Sequence, residues 1–595
     1  MPGGYMGKIL FVDLSTGAIE EETLVDKMYR DYIGGYGIGA RILYSRQKAA
    51  VDPLGPENTL GMISGLLTGT PVPSGARYMV VAKSPLTGGW GEANSGGDFG
   101  PYLKFAGFDA VFFTGISPKP VYLLIDDGKA QLKDAKYLWN KDTYETEDVL
   151  IAEYGKHSRV ACIGPAGEKT SLIAGIMTDR GSAAGRSGLG AVMGSKKLKA
   201  VVARGTMEVP VVDKATVLNL RKELIKVWNF DNSPKALAMR KYGTSGQTYD
   251  AAYSGDCPIK NWGGVGVIDL PDRSGLHPDA LAAHVEKKHG CWHCPKACKH
   301  ILMAGEGEYV YKAGSRRPEY ETAAAFGPNC ANSNTESISM VNDICNRAGL
   351  DTISGGSVIA FAMELYENGI LTKKHTDGID LKWGNHQAIV AMTVKIINRE
   401  GLGDILAYGV KIAAEKIGNG AEKFAIHIGG QELGMHDPKL PAGGRPQAAR
   451  YQMDATPGRH NSGFGPSGFG RHIINPAGLC FMGGVSEGNM LLFINAVTGW
   501  NCTWDDLLKI GERIANLRHA FNLREGINEL KWPIHPRIVG KPPQTVGPLA
   551  GVTADIEAQV YWGLGALDWD RVTTKPSKAK LLSLSLDDIA KDLWP

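Results

Sequence analysis

Three cysteines lie close together near the middle of the chain, where Cys291, Cys294 and Cys298 give a C-x2-C-x3-C spacing. This spacing lets three thiolates converge on one centre, and iron-sulfur clusters need four ligands that are usually thiolates. A structural zinc site completed by His293 or His300 is the alternative, although zinc sites favour two matched pairs of ligands. The segment therefore predicts a metal centre, with an iron-sulfur cluster favoured over zinc.

A hexapeptide of the form N-x-A-G-L-[D/C] occurs twice, at residues 346–351 and 475–480. Two equivalent loops suggest two equivalent ligand moieties, because an Asn side chain and exposed loop backbone offer donors and acceptors to a flat polar heterocycle. Each copy also fits a helix C-terminus, where glycine is common with a hydrophobic residue just after it. Both interpretations can hold together. The second copy ends in Cys480, which would place a fourth cluster thiolate beside one heterocycle.

The bulk composition is that of a large enzyme with a bulky ligand. A chain of 595 residues is too long to fold around a single hydrophobic core, which predicts about two to four domains. The net charge of +3 indicates neither a nucleic-acid nor a membrane-surface partner and fits a small or neutral substrate. The nine cysteines are odd in number and clustered once, as in an intracellular metal protein. With neither a signal peptide nor a long apolar run, we expect a soluble cytoplasmic protein without membrane insertion.

Through about residue 208 the chain alternates short β-branched runs with glycine turns, which predicts an antiparallel-rich β domain without long helices. The run from Val121 to Leu132 is predicted to form a hairpin, because Asp126-Asp127-Gly128 supplies turn chemistry. The predicted strands are KILFVDL, ARYMVVAK, AVFFTG, VYLLIDDGKAQL, RVACIG, SLIAGIM and KAVVAR.

Beyond residue 208 the period of the apolar residues becomes that of a helix. Helices are predicted at 337–348, 357–368, 388–399, 404–417 and 503–524, the last with an N-cap pattern at Thr503 and Asp506. A first helix is predicted from the spacing of Val217, Leu220, Leu224, Val227 and Trp228. A glycine-rich break near residue 420 divides the helical part. The fold class is therefore α+β, with a β domain at 1–208 and mainly α-helical domains at 209–420 and 421–595.

Several motifs agree in order and spacing with one known family. They are GKILFVDLSTG, YIGG, SGARYMVVAKSPLTGGWGEANSGGDFG, GRSGLGAVMGSKKLKAV, the three-cysteine run, RPEYET, both hexapeptides, GMHDP and NLRHAFNLREG. Over essentially its whole length the chain resembles the tungsten-containing aldehyde:ferredoxin oxidoreductases. The resemblance implies a β domain that forms a base for two pterin cofactors holding one metal, covered by two helical domains. It leaves tungsten or molybdenum open, because the pterin dithiolenes hold the metal.

The resemblance also implies which residues bind the cofactors. The ligands of one 4Fe-4S cluster would be Cys291, Cys294, Cys298 and Cys480. Arg77 would contact a cofactor phosphate, and Asn94 and Ser187 would supply ligands to a magnesium ion between the cofactors. The two hexapeptides would contact the pterins of a bis-molybdopterin through Asn346, Asp351, Asn475 and Leu479. Family members often have Asp where this chain has Asn346 and Asn475, so these contacts would lack charge assistance.

Two further residues match the active site of the family. Glu321 is predicted to be the base and His436 the hydrogen-bond donor to the substrate oxygen, with Glu319 as the next candidate base. The activity implied is oxidation of a small aldehyde to an acid, with electrons passed to ferredoxin or a partner iron-sulfur subunit. Reduction of an aromatic acyl-CoA ester and a non-catalytic iron-sulfur electron carrier stay open as alternatives. Assembly as a homodimer or a hetero-oligomer is equally open.

Overall fold

A computed structural model describes residues 2–441, 447–461 and 463–595. Its amino-terminal part contains two six-stranded sheets. The strands of the first sheet are β1 (Lys8–Asp13), β2 (Ile19–Thr23), β3 (Leu60–Ser64), β4 (Tyr78–Lys83), β5 (Trp90–Ser95) and β6 (Ala110–Thr114). Those of the second are β7 (Val121–Asp126), β8 (Lys129–Asp134), β9 (Ser158–Cys162), β10 (Ile176–Thr178), β11 (Ser182–Ala184) and β12 (Leu198–Arg204).

The two sheets share one topology. The strand order is β2-β1-β6-β3-β4-β5 in the first sheet and, read in the same direction, β8-β7-β12-β9-β10-β11 in the second. In the described part of the chain each sheet has a single parallel pair, β1 with β6 and β7 with β12, and its other neighbours are antiparallel. Apolar side chains from both sheets form one core between them. The β domain is therefore an internal repeat, and the predicted antiparallel-rich domain is confirmed.

Helices fill the connections of the β domain. They are α1 (Asp26–Tyr32), α2 (Gly35–Arg46), α3 (Phe99–Phe105), α4 (Thr143–Tyr154), α5 (Pro165–Glu168) and α6 (Leu189–Ser195). The prediction that long helices are absent was wrong for α2 and α4, which have 12 residues each. Helix α2 was not predicted because its glycines lower helix propensity. In the structure the same glycines let α2 pack closely on β3 and β4. The hairpin at residues 121–132 is confirmed as β7 and β8.

Other strand predictions were incomplete. The run SLIAGIM forms a strand only over β10, because Ala174 pairs with Leu350 of the first hexapeptide instead of extending the sheet. Strands β2, β3, β5 and β11 were not predicted. Two of them have sequences that do not stand out, since β2 is the glutamate-rich edge strand IEEET and β5 is the polar segment WGEANS.

The middle of the chain is mainly helical, as predicted, with one added hairpin of β13 (Val285–His289) and β14 (Lys299–Leu302). Its helices are α7 (Lys214–Phe230), α8 (Pro234–Tyr242), α9 (Thr248–Ser254), α10 (Gly266–Asp269), α11 (Pro278–Ala282), α12 (Tyr320–Phe326), α13 (Thr335–Ala348), α14 (Thr352–Glu367), α15 (His386–Asn398), α16 (Leu402–Leu406) and α17 (Val410–Ile417). The single helix predicted at 404–417 was wrong. It is two helices, because Gly409 has a φ of +82° that a continuous helix excludes.

The carboxyl-terminal part is also helical. Its helices are α18 (Ala448–Met453), α19 (Arg471–Ile474), α20 (Glu487–Thr498), α21 (Trp504–Arg524), α22 (Pro536–Val539), α23 (Ile556–Leu567), α24 (Lys578–Ser583) and α25 (Asp587–Leu593). Thr503 caps α21 through a reciprocal capping box with Asp506, as predicted. In the described chain, no helix combines the length and the apolar character that a membrane span requires. The domain boundaries at 208 and 420 stay predictions.

Candidate active site and cofactor cavities

The second hexapeptide packs against the loop between β3 and β4. Pro476 and Ala477 accept backbone hydrogen bonds from Leu66 (3.1 Å) and Leu67 (2.8 Å). Leu479 forms an antiparallel bridge with Gly75, and its side chain is buried in the core. The backbone of Leu479, and not its side chain, is therefore what this loop can offer to a ligand.

The first hexapeptide packs in the same way on the other half of the β domain. Leu350 forms an antiparallel bridge with Ala174, in the loop between β9 and β10. The amide of Asp351 donates to the Ile173 carbonyl (2.9 Å), just as the amide of Cys480 donates to the Ser74 carbonyl (3.1 Å). Since β9 and β10 are the equivalents of β3 and β4, the two hexapeptides occupy equivalent places. The first copy is also the predicted helix cap, because α13 ends at Ala348 and Gly349 is left-handed.

Two cavities lie between the β domain and the helices. The cysteine cavity has a volume of about 370 Å³ and is lined by all four predicted cluster cysteines together with Asn346 and Asp351. The histidine cavity has a volume of about 950 Å³ and is lined by Asn475, His436 and His460 among others. The residues that line both cavities are Arg77, Thr244, Glu319, Glu321 and Met482. Each hexapeptide Asn therefore faces a different cavity, and Glu321 lies where the cavities meet.

The four cysteines of the cysteine cavity come from two distant segments. Cys291, Cys294 and Cys298 lie on the connection between β13 and β14, and Ser74 contacts Cys294 at 3.5 Å. Cys480 accepts a hydrogen bond from Arg77 Nη2 at 3.2 Å. Burial disfavours the Cys480 thiolate, but the charge and hydrogen bond of Arg77 lower the pKa of this thiol below its ordinary value. A thiolate is the form of cysteine that binds metal.

Arg77 joins the cysteine cavity to the residues predicted for phosphate and magnesium. Its Nη1 donates to Asn94 Oδ1 at 2.6 Å, and Asn94 lies on β5 opposite Met79 of β4. Ser187 is buried in a single 3-10 turn with a φ of +68°. Its hydroxyl donates to the carbonyl of Glu92 at 3.2 Å, two residues before Asn94 on β5. Arg77 and Ser187 thus both form hydrogen bonds with β5, the strand that contains Asn94.

The side chain of Asp351 has a different role from the side chain of Asn346. Its carboxylate caps α14, accepting from the Ile353 amide at 3.0 Å, and forms an ion pair with Arg186 at 2.7 Å. Asn346 is buried on the last turn of α13, with its carbonyl hydrogen-bonded by Thr143 at 2.8 Å. The side-chain amide of Asn346 lies close to Gly181, and both residues line the cysteine cavity.

Glu321 lies in the first turn of α12 and meets two histidines. Its Oε2 accepts from the Met435 amide at 2.9 Å, while its Oε1 lies 3.6 Å from His460 Nδ1 and 4.0 Å from His436 Nε2. Candidate ligand atoms of these three residues all lie within 4.8 Å of one another. Burial raises the pKa of Glu321 even though His436 and the Met435 amide oppose that shift. A carboxylate with a raised pKa is suited to accept and release protons near neutrality.

His436 is oriented by a carboxylate that the sequence did not reveal. Its Nδ1 lies 2.7 Å from Asp256 Oδ2, and its ring stacks on Tyr320 with centroids 4.5 Å apart. Burial alone would lower the pKa of His436, but the hydrogen bond to Asp256 and the charge of Glu321 raise it overall. This shift favours the imidazolium, which donates from both ring nitrogens and then has an Nε2 proton on the cavity side.

His460 was also missed by the sequence interpretation. Its ring lies edge-on to His436 with centroids 4.6 Å apart, and Asn461 Nδ2 lies 2.7 Å from its Nε2. Burial and the charge of His436 hold its pKa well below the ordinary value, so the ring is neutral. With Asn461 donating to Nε2, the ring proton is on Nδ1 and faces Glu321. Neither His460 nor Asp256 has a spacing to Glu321 that a sequence pattern could reveal.

Glu319, the next candidate base, has a different environment. It is exposed and accepts a hydrogen bond from Thr244 Oγ1, whereas Glu321 is enclosed by two histidines. This difference favours Glu321 over Glu319 as the proton acceptor.

Unsatisfied polar groups concentrate at the cysteine cavity. Among the described residues, buried side-chain atoms that lack a hydrogen-bond partner include both ring nitrogens of His300, Nη1 of Arg316, and Nε and Nη1 of Arg317. All three side chains line this cavity. Buried polar groups are normally satisfied, so two guanidinium groups and an imidazole with unpaired nitrogens fit a bound polyanionic group with many acceptor atoms. The residues present therefore fit a phosphorylated cofactor beside four cysteines.

Comparisons with known proteins find similar chains over nearly the whole length. Residues 9–205 match the N-terminal domain of aldehyde ferredoxin oxidoreductase, and residues 220–586 match its domains 2 and 3. The tungsten-containing aldehyde ferredoxin oxidoreductase of Pyrococcus horikoshii is 37% identical over 584 residues, covering 92% of this chain and 93% of that protein. The protein of the same description from Pyrococcus furiosus is 36% identical over 596 residues, covering 93% and 94%.

Two other similar proteins have different described activities. The aliphatic sulfonate oxidoreductase, WOR-like subunit, of Pyrococcus furiosus is 31% identical, over 88% of this chain and 86% of that protein. A solved structure described as the active site complex BamBC of benzoyl coenzyme A reductase, with 1,5-dienoyl-CoA, is similar with a TM-score of 0.84. It is 26% identical and covers 100% of this chain and 99% of that chain.

Proposed function

The chain belongs to the aldehyde ferredoxin oxidoreductase family, and we propose that it is a tungsten or molybdenum bis-pterin enzyme that oxidises aldehydes to carboxylic acids. The observation that carries this proposal is the position of Glu321, which lies beside His436 and His460 where the histidine cavity meets the cavity lined by four cysteines. The equivalent placement of the two hexapeptides supports two cofactor halves related in the same way.

The cofactors would be held by residues of both cavities. Asn346 and Asn475 would each contact one pterin, and Arg77 would contact a phosphate. Asn94 and Ser187 would contribute to a magnesium site, in agreement with their positions on and beside β5. When bound, the metal centre supplies the two-electron acceptor that aldehyde oxidation requires. The ligands of a 4Fe-4S cluster, whose role is electron transfer, would be Cys291, Cys294, Cys298 and Cys480.

Glu321 is the proton acceptor in this proposal. Oxidation of an aldehyde to an acid consumes one water and releases two protons and two electrons, so a base must take a proton from the water. Glu321 Oε1 is available for this purpose, because among the described residues it has no hydrogen-bond partner. Its Oε2 is fixed by the Met435 amide, so the free oxygen keeps its direction while the proton is transferred.

His436 is the donor to the substrate oxygen. Asp256 accepts from Nδ1 and favours the charged ring, whose Nε2 donates toward the space beside Glu321. A hydrogen bond from a charged donor polarises a carbonyl more strongly than one from a neutral donor. His460, being neutral, closes the other side of Glu321 without adding a second charge. The two histidines therefore have different tasks because their surroundings set different charges.

The electron acceptor proposed is ferredoxin or a partner iron-sulfur subunit, because the relatives are described as ferredoxin oxidoreductases. The chain is less similar to the benzoyl coenzyme A reductase complex, at 26% identity, than to the aldehyde enzymes, at 37%. Aldehyde oxidation is therefore the favoured activity.

The test is anaerobic purification followed by measurement of tungsten, molybdenum, iron and pterin per chain. The purified protein is then assayed with a panel of aldehydes and benzyl viologen as the acceptor. We expect one tungsten or molybdenum, two pterins and four irons, with viologen reduction that depends on aldehyde. Iron without tungsten, molybdenum or pterin would refute the proposal in favour of an electron carrier. Turnover of an aryl-CoA ester with no turnover of free aldehydes would replace it by thioester reduction.

A further inference from the structure

An open groove lies on the surface beside the cysteine loop. This cluster-side groove has a volume of about 530 Å³, and its walls include Pro71, Tyr102, Phe105, Met207, Trp292 and His293. The ring of Trp292 packs edge-on against Phe105, with centroids 5.3 Å apart, and stacks on His293 at 4.4 Å. The groove is therefore an aromatic, largely apolar depression that is open to solvent.

The groove is connected directly to the cluster ligands. Trp292 follows Cys291 in the chain, and His293 precedes Cys294. The carbonyl of His293 accepts from the Ser74 amide at 3.4 Å, and Ser74 Oγ contacts Cys294 Sγ. A protein seated in this groove would therefore contact the same loop that supplies three of the four cysteines.

Exposed apolar side chains form the rim of the groove and continue onto α7. Met207 in the groove is 37% exposed, Val212 just before α7 is 63% exposed, and Leu218 on α7 is 47% exposed. The inner face of α7 is already used, because Val217 and Leu224 are buried against α20 and its surroundings. Exposed apolar side chains beside an apolar groove are typical of an interaction surface.

The outer face of α7 is basic. Lys214, Leu218, Lys222 and Lys226 recur every four residues and are all exposed, so they form one stripe along the helix. Lys214 also lines the groove, where its Nζ lies 3.6 Å from Glu208 Oε2. Arg221 contacts His293 Nδ1 at 3.4 Å and donates to the Pro71 carbonyl at 3.2 Å. With Glu223 as the single acidic residue of α7, the helix has a formal charge of +3.

We propose that the cluster-side groove and the basic stripe of α7 form the docking site for a small acidic iron-sulfur protein that accepts electrons from this enzyme. This inference rests on the proposed function. The charge of α7 selects the acidic partner, because opposite charges steer association toward one surface. The apolar floor supplies the contact area, and the cysteine loop beneath it makes the site one for electron transfer and not for substrate.

The test compares the holoenzyme with its Lys214→Glu/Lys222→Glu variant, which reverses two exposed charges of the stripe. The acceptor is a purified low-pI 4Fe-4S ferredoxin, and benzyl viologen is the small reference acceptor. We expect the KM for ferredoxin to rise by ~10-fold or more at low ionic strength, with a weaker salt dependence than in the wild type. The viologen-linked rate should stay at the wild-type value, because the dye needs no docking surface.

A matched control is Lys374→Glu, an exposed lysine on the connection between α14 and α15. Its KM for ferredoxin should equal that of the wild type. Binding of oxidised ferredoxin to each holoenzyme, measured by calorimetry without aldehyde, tests docking independently of turnover. An unchanged ferredoxin affinity in the Lys214→Glu/Lys222→Glu variant, or an equal loss in the Lys374→Glu variant, would overturn the docking proposal. Absence of aldehyde-dependent viologen reduction in the wild type would instead overturn the proposed function, and the calorimetric comparison would still decide the docking site.

Discussion

Gly65 provides a test of how the β domain positions the second hexapeptide. A Cβ atom at this residue would lie 2.2 Å from the Gly478 amide nitrogen and 2.3 Å from its Cα. An ordinary contact begins near 3.4 Å, so Gly65→Ala requires the two backbones to separate by about 1.2 Å. The neighbouring hydrogen bonds from Leu66 and Leu67 to Pro476 and Ala477 would lengthen with them.

The expected effect of Gly65→Ala is larger on the site than on the fold. Overpacking of this kind costs about 1 to 3 kcal/mol, which a chain with this much buried apolar surface should survive. Misplacement of reacting groups by about 1 Å can cost ~10²-fold in rate. Because Asn475 and Cys480 are at the two ends of the displaced loop, we expect lower iron and pterin content, a lower apparent melting temperature and ~10²-fold slower turnover.

The assay measures iron, pterin and metal per chain, thermal unfolding and viologen-linked aldehyde oxidation. Gly488→Ala is the matched control, because a Cβ in the first turn of α20 meets no described atom within 4 Å. Gly164→Ala is the symmetric variant, since its Cβ would lie 2.5 Å from the carbonyl of Ala348, a residue of the first hexapeptide. It should lower pterin content while Cys480 keeps its place and iron is retained. Wild-type iron content and turnover in Gly65→Ala would refute the packing argument.

Four further outcomes are expected. Glu321→Gln should lower turnover by ~10²- to 10⁴-fold with metal, pterin and iron unchanged, since it keeps shape but cannot accept a proton; full turnover in the metallated variant would remove Glu321 from the mechanism. Cys480→Ala should change the electron paramagnetic resonance spectrum of the cluster, and a wild-type spectrum with all iron retained would contradict the ligand assignment. In the wild type, kcat should fall with decreasing pH at a pKa above the ~4.3 of an ordinary glutamate, because burial raises the pKa of Glu321 and the base form is lost below it; an acid limb at or below that value would contradict this. Asp256→Asn should move the loss of kcat at high pH to lower pH, because His436 loses the carboxylate that raises its pKa, and an unshifted profile would mean that Asp256 does not set the charge of His436.

Local patterns in the sequence were sufficient for several features of the fold. The Asp126-Asp127-Gly128 turn fixed the β7 and β8 hairpin, and the helical period of apolar residues located α7, α13, α14, α15 and α21. These features depend on turn chemistry and periodicity within one segment, which a sequence displays directly. The failed strand prediction has a different cause, because it involves a contact between distant segments that no local pattern displays. The run SLIAGIM was expected to be one strand, but half of it pairs with a loop more than 170 residues away.

For the site, the sequence by itself supplied the candidates: four cysteines in two segments, a repeated Asn-containing hexapeptide, and Glu321 through a matching family motif. Their roles stay predictions. Only the tertiary structure decided which groups meet. The approach of Asp256 to His436 and of His460 to Glu321 joins residues 180 and 139 positions apart, and no spacing rule connects such positions. Their charges are decided in the same way. The two histidines have the same side chain, yet Asp256 raises the pKa of His436 and burial lowers that of His460, because the pKa of a group depends on the surroundings that folding creates.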